Sequence, residues 1–155
     1  MRKLATIIAI SLCFAATSAG AIYFDEEKLA KVKAIRVEVE ANVDGGCLDS
    51  GDALHAEAEL ILRRSGIKVR RDYPRHTLSI GVTGYAINKY TCAAALRLQL
   101  YKFDRLADGS REAVEAAEYK GWLLNGPKGG FLQQLREQVN AQVSKLANEI
   151  LKARQ

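Results

Sequence analysis

Two cysteines, Cys47 and Cys92, restrict what this chain can fold into more than any other pair of residues. They count as a pair because the third, Cys13, belongs to a leader. Arg2 and Lys3 open the chain, "LATIIAISLCFAATSA" follows as an uncharged and mostly apolar run, and Ala19, Gly20 and Ala21 are small enough for signal peptidase. The run is short for a bilayer span, which needs roughly 20 apolar residues. Leu12 directly before Cys13 is too bulky for lipoprotein processing. Residues 1–21 are therefore expected to be a signal peptide cleaved after Ala21, with the mature chain periplasmic or secreted and without a transmembrane span.

Export decides the chemistry of the two remaining thiols. In an oxidising compartment an even pair of cysteines is expected to form a structural disulfide, Cys47–Cys92. No CxxC is present, so a thiol oxidoreductase is not expected. Taking the first 21 from 155 residues leaves 134, enough for one domain with its own core. Losing Arg2 and Lys3 brings the net charge from +5 to +3, a mild balance that demands no nucleic-acid partner.

Hydrophobic period sets the elements. Residues 22–33 form a lead-in segment, expected to be partly disordered, and the domain is expected over 34–155. Ile35, Val37, Val39, Ala41 and Val43 alternate with Arg36, Glu38, Glu40 and Asn42, the pattern of a half-buried strand. From Ser50 to Ser65 the period becomes helical: Leu54, Ala58, Ile61 and Leu62 share one face. Asp49 is placed to cap this helix, and Gly66 to end it in the left-handed conformation. Leu78, Ile80 and Val82, then Leu96, Leu98 and Leu100, alternate with polar residues and predict an antiparallel hairpin. Residues 111–124 are ambiguous. Ala and Glu favour helix there, yet a strand over about 113–124 completes a meander, with Ala117, Tyr119, Gly121 and Leu123 able to share one face. Leu132, Leu135, Val139, Val143, Leu146 and Ile150 recur at spacings of three and four, a long closing helix.

The expected class is α+β, in the order β-α-β-β-β-α: a mixed, mostly antiparallel four-stranded sheet with two helices on one face. The cysteine pair sharpens this order. Cys47 follows the first strand and Cys92 opens the third, so those strand ends must meet. Strands one and three then run antiparallel, and strands one and two run parallel through a helical crossover.

Candidate chemistry is thin. Asp52, His55 and Glu59 have helical spacings of three and four and could form a small metal or carboxylate cluster, but the chain holds only two histidines and no HExxH. There is no GxSxG elbow, and "GPKGG" lacks the spacing of a phosphate-binding loop. No cofactor is expected. Two surfaces remain. Arg63, Arg64, Lys68, Arg70, Arg71 and Arg75 form a basic stretch suited to an anionic ligand. If the leucines of the third strand face the helices, Arg97, Gln99, Tyr101 and Phe103 point away, and Tyr85 and Tyr119 can join them in a partner-binding patch.

In its helix ending "LRRSGIKV", strands "HTLSIGVTGY" and "CAAALRLQLYKF", "YKGW" segment and closing "LREQVNAQVSKLANEIL", the mature chain resembles a family of small exported bacterial proteins. It is also similar to the amino-terminal domain of the Tol translocation protein and to small outer-membrane accessory lipoproteins, without their lipid-bearing cysteine. The resemblance implies non-enzymatic binding in the envelope and supplies no catalytic residues. The expected function is thus an accessory binding module for an envelope protein or anionic ligand. A small exported metal- or carboxylate-dependent hydrolase, and a binder of anionic lipid or lipopolysaccharide, are the alternatives.

Overall fold

The computed structural model describes residues 22–72 and 75–155; the expected leader 1–21, with Cys13 and the expected cleavage position, lies outside the described residues, as do Tyr73 and Pro74. The α+β class holds. Ten residues of strict alternation become strand β2 (Ala34–Val43), which buries Ile35 and Val37 and leaves Glu38 and Glu40 exposed. Helix α2 (Asp52–Arg64) follows and buries Leu54, Ala58, Ile61 and Leu62. Asp49 does not cap it. The helix begins later, with Gly51 as its N-cap: the Gly51 carbonyl accepts from the Leu54 and His55 amides, and the Ser50 hydroxyl accepts from the Asp52 amide at 3.4 Å. Its other end is as expected. Gly66 takes φ +76°, and the Ile67 amide reaches back to the Leu62 carbonyl at 2.9 Å, closing the last turn.

Strands β4 (His76–Ala86), β5 (Thr91–Arg105) and β6 (Arg111–Pro127) form the antiparallel meander, and β2 pairs in parallel with β4 through the α2 crossover. Cys47 and Cys92 are joined, with Cα atoms 5.9 Å apart and both residues buried. The ambiguous segment 111–124 is strand. Ala117 stands opposite Leu100 and Tyr119 opposite Leu98, so burial against the leucine row outweighs the helical propensity of Ala and Glu.

Among the described residues the sheet has six strands rather than four. The lead-in segment is ordered in its own right: β1 (Ile22–Phe24) pairs antiparallel with β6, and α1 (Glu26–Ala30) starts where the Asp25 carboxylate accepts from the Lys28 amide. Leu29 and Val32 are fully buried, which anchors a stretch expected to be partly disordered. The two-residue β3 (Lys68–Val69) pairs in parallel with β2 beside β4. The order across the sheet is β1-β6-β5-β4-β2-β3. Helix α3 (Phe131–Ala153) lies with α2 on one face and drives Phe131, Leu135, Val139, Val143, Leu146 and Ile150 into the core. Facing them are Leu78, Ile80 and Val82 of β4 and Leu96, Leu98 and Leu100 of β5, all nearly inaccessible. Between the helices, Glu57 accepts from Arg136 at 2.8 Å and from Asn140 at 2.9 Å, and these partners hold its carboxyl below the usual range.

Candidate functional site

The helices cover one face of the sheet and leave the other to its own side chains. Opposite residues in β4 and β5 share a face, so Thr77, Ser79, Thr83 and Tyr85 stand beside Tyr101, Gln99, Ala95 and Ala93. Arg97, Gln99, Tyr101, Phe103 and Tyr85 therefore do lie together on the uncovered face. Glu118 is the organising group. Its Oε1 accepts from Arg97 Nε at 3.0 Å and Nη2 at 2.6 Å, and from Gln99 Nε2 at 3.2 Å. Glu118 and Gln99 are buried although no helix covers them, while the Arg97 side chain keeps half its surface in solvent. Burial pushes the Tyr101 phenol up.

Tyr119 does not belong to this face. It opposes Leu98, is 1% exposed and packs edge-on against Phe24 at 5.3 Å between ring centroids. Leu123 moves the other way. Leu98 pairs with residue 119 but Leu96 pairs with residue 122, so β6 spends one extra residue across that step. Such a bulge reverses the phase of the strand beyond it. Leu123 consequently opposes Ala95 on the open face and is 81% exposed instead of sharing a face with Tyr119. The result is a shallow apolar floor, Ala93 and Ala95, flanked by Tyr85 and Leu123. Beyond it the β4–β5 turn carries exposed Ile87 and Tyr90. Leu123, Ile87 and Tyr90 do not stand out in the sequence; a leucine on the wet phase of a strand is visible only once the bulge is known.

The second surface lies at the end of the sheet away from the disulfide. Here a cleft of about 780 Å³ is lined by Ala30, Lys31, Lys33, Ala34, Arg70, Asp72, Arg75, His76 and Lys102. Of the basic stretch expected from sequence, Arg70 and Arg75 reach it. Arg63 instead pairs with Glu59 along α2 at 3.1 Å, and Arg64, Lys68 and Arg71 are not part of the lining. His76 stands in register between Ile35 and Lys102 on the core side of the sheet and is 3% exposed. Desolvation, assisted by Lys102 and Arg75 and opposed by Asp104, lowers its pKa to about 4.

The suggested cluster Asp52, His55 and Glu59 does not assemble into a ligand set. Asp52 accepts from the Ser50 hydroxyl, Glu59 holds Arg63, and His55 Nε2 stands 3.9 Å from Glu59. Among the described residues no three His, Cys, Asp or Glu side chains are placed to share a metal ion. No helix among them is long and apolar enough to cross a membrane.

No family model matches the sequence, and no curated protein matches it significantly. Solved structures do resemble it. A PelC dodecamer from Paraburkholderia phytofirmans is 14% identical, with a TM-score of 0.46 over 84% of this chain and 96% of that one. A minor lipoprotein from Acinetobacter baumannii is 13% identical, with a TM-score of 0.43 over 77% and 90%. The rare lipoprotein B from Shewanella oneidensis is 9% identical, with a TM-score of 0.29 over 76% and 91%. Likeness at this level says nothing of what the chain binds.

Proposed function

We propose that this chain is a non-enzymatic binding module of the bacterial envelope, periplasmic or secreted, which docks a protein partner on the open face of its sheet. The carrying observation is the surface itself: exposed Tyr85 and Leu123 flank a floor of alanines, next to an arginine held in place by a buried carboxylate. Small residues under large exposed apolar ones form a recess that a partner's side chains can enter. Aromatic residues and arginine are also the types most enriched where interfaces gain their energy. Arg97 enters such a contact already fixed by Glu118, so little side-chain freedom is lost on binding. The leader and the disulfide are consistent with an exported accessory role, and the uncommitted face with one that works by contact.

Photo-crosslinking tests this. A photoreactive residue at Tyr85 or Leu123, expressed in the native host, is expected to give a discrete adduct with another envelope protein, and the same residue at Glu137 on the wet side of α3 is not. Adducts with a second copy of the chain alone would replace the partner by self-association. Absence of any adduct from either position would refute the reading.

A further inference from the structure

The cleft at the far end of the sheet has more structure than a solvated run of charge. Its five cations come from separate places in the chain: Lys31 and Lys33 around the α1–β2 connection, Arg70 after β3, Arg75 before β4 and Lys102 within β5. The fold draws them together against their mutual repulsion, with one carboxylate, Asp72, in the lining. Three of them have acidic partners: Lys31 with Glu27 at 2.5 Å, Lys102 with Asp104 at 2.5 Å, and Arg70 with Asp72. Lys33 and Arg75, both exposed, make no ion pair among the described residues. His76 adds the second, independent sign. Its Nε2 is buried and has no hydrogen-bond partner among the described residues. Native structures seldom leave a buried ring nitrogen unsatisfied, because losing water without a replacement is costly.

We propose that this cleft binds a phosphate-bearing ligand, with Lys33, Arg75 and the His76 Nε2–H as its direct contacts. A tetrahedral phosphate accepts bonds from several directions at once, which suits a lysine point charge, an arginine fork and a ring N–H arriving from different segments. Ala30 and Ala34 keep the rest of the lining small. The volume exceeds that of a bare phosphate, so it also accommodates the group to which the phosphate is attached: a soluble phosphate ester or the head group of an anionic lipid. This site is separate from the open sheet face and stands or falls without it.

The test is a titration of the purified, disulfide-bonded protein with inorganic pyrophosphate, followed by amide and histidine-ring NMR shifts. In parallel, flotation is measured with vesicles of phosphatidylglycerol in phosphatidylcholine, and with phosphatidylcholine alone. Saturable shifts centred on Lys33, Arg75, His76 and Lys102 are expected, and Lys33→Gln with Arg75→Gln is expected to weaken the affinity at least about tenfold, since each charged hydrogen bond is worth about that factor. Both side chains are exposed, so the variant keeps its fold; an unchanged amide spectrum outside the cleft confirms it. Arg63→Gln with Arg64→Gln, outside the cleft, is expected to change neither arm. Pyrophosphate binding without flotation assigns a soluble ester. Flotation with the anionic vesicles that is lost in the Lys33 and Arg75 variant assigns a lipid head group. Absence of saturable binding in both arms, or binding unaffected by that variant, overturns the proposal.

Discussion

His76 makes this protein's stability depend on pH in a window where few other groups titrate. The ring is 3% exposed, with its pKa lowered to about 4 by burial first and by Lys102 and Arg75 after it; Asp104 pushes the other way. In the unfolded chain the group returns to 6.5. Between those values the unfolded state carries a proton that the folded state does not, so stability is fully present above pH 6.5 and is lost as pH falls toward 4. The full difference is about 3 kcal/mol, of which about 2 kcal/mol falls between pH 7 and pH 5. That is a sizeable share of the 5–15 kcal/mol typical of a domain. Carboxylates held low by partners, such as Asp25 by Lys28 and Asp72 by Arg70, contribute at lower pH, because their stability is lost only as pH falls through the ordinary carboxylate range and below it. Urea unfolding at pH 7, 6 and 5 is the assay, with His76→Gln as the reference of similar size that cannot titrate. The wild type is expected to lose about 2 kcal/mol across that span and the variant almost none. A wild-type loss under about 0.5 kcal/mol, or an equal loss in the variant, would show that His76 is not a buried neutral ring.

Covalent and packing constraints elsewhere can be tested in the same way. Replacing Cys47 and Cys92 by alanine opens a loop with a sequence separation of 45 and is expected to cost about 4 kcal/mol in denaturant unfolding; a loss below about 1 kcal/mol would contradict a structural bond. Gly84→Ala drives a methyl group into the Ala93 carbonyl oxygen of the next strand, and the thermal midpoint is expected to fall by the equivalent of about 1–3 kcal/mol. An unchanged midpoint would mean that β4 and β5 lie further apart there. Arg97→Met leaves the Glu118 carboxylate buried with two donated hydrogen bonds fewer and is expected to cost about 1–2 kcal/mol, with part of that recovered on adding Glu118→Gln. Strict additivity of the two changes in a double-mutant cycle would argue that the pair is not coupled.

The strands and helices were legible where one local signal sufficed. The alternation through Ile35, Val37 and Val39 marks β2, and Gly66 followed by Ile67 marks the end of α2. The two thiols, taken together with the expected leader, imply the parallel pairing of β2 with β4, which no local pattern carries. The features that escaped depend on pairing between distant residues. Asp49 had the right chemistry for a cap, but Gly51 and Ser50 occupy the positions from which the first turn is satisfied. Tyr119 and Leu123, expected to share a face, lie on opposite faces because a bulge opposite Leu96 and Leu98 resets the phase of β6, and a bulge is a property of two strands. The basic cleft was half visible. Arg70 and Arg75 stood out in a charged run, whereas Lys31, Lys33, His76 and Lys102 join them only through the fold. The lead-in is expected to be partly disordered from its place near the terminus, yet Leu29 and Val32 find a place in the core.

The covalent bond between the end of β2 and the start of β5 also bears on the order in which the parts come together. Ile35 meets His76 across about 40 residues of chain, and parallel strands with such separations are slow to find each other because the loop must close before any contact rewards it. Once Cys47 and Cys92 are joined, α2, β3 and β4 lie inside a closed ring with β2 just outside it, and the path from Ile35 to His76 runs through the bond and shortens from about 41 residues to about 29. Helix α3, made last in the chain, then has a formed surface to land on. The bond is therefore expected to ease the building of the crossover as well as to hold it, and refolding of the reduced chain is expected to be slower than that of the oxidised one.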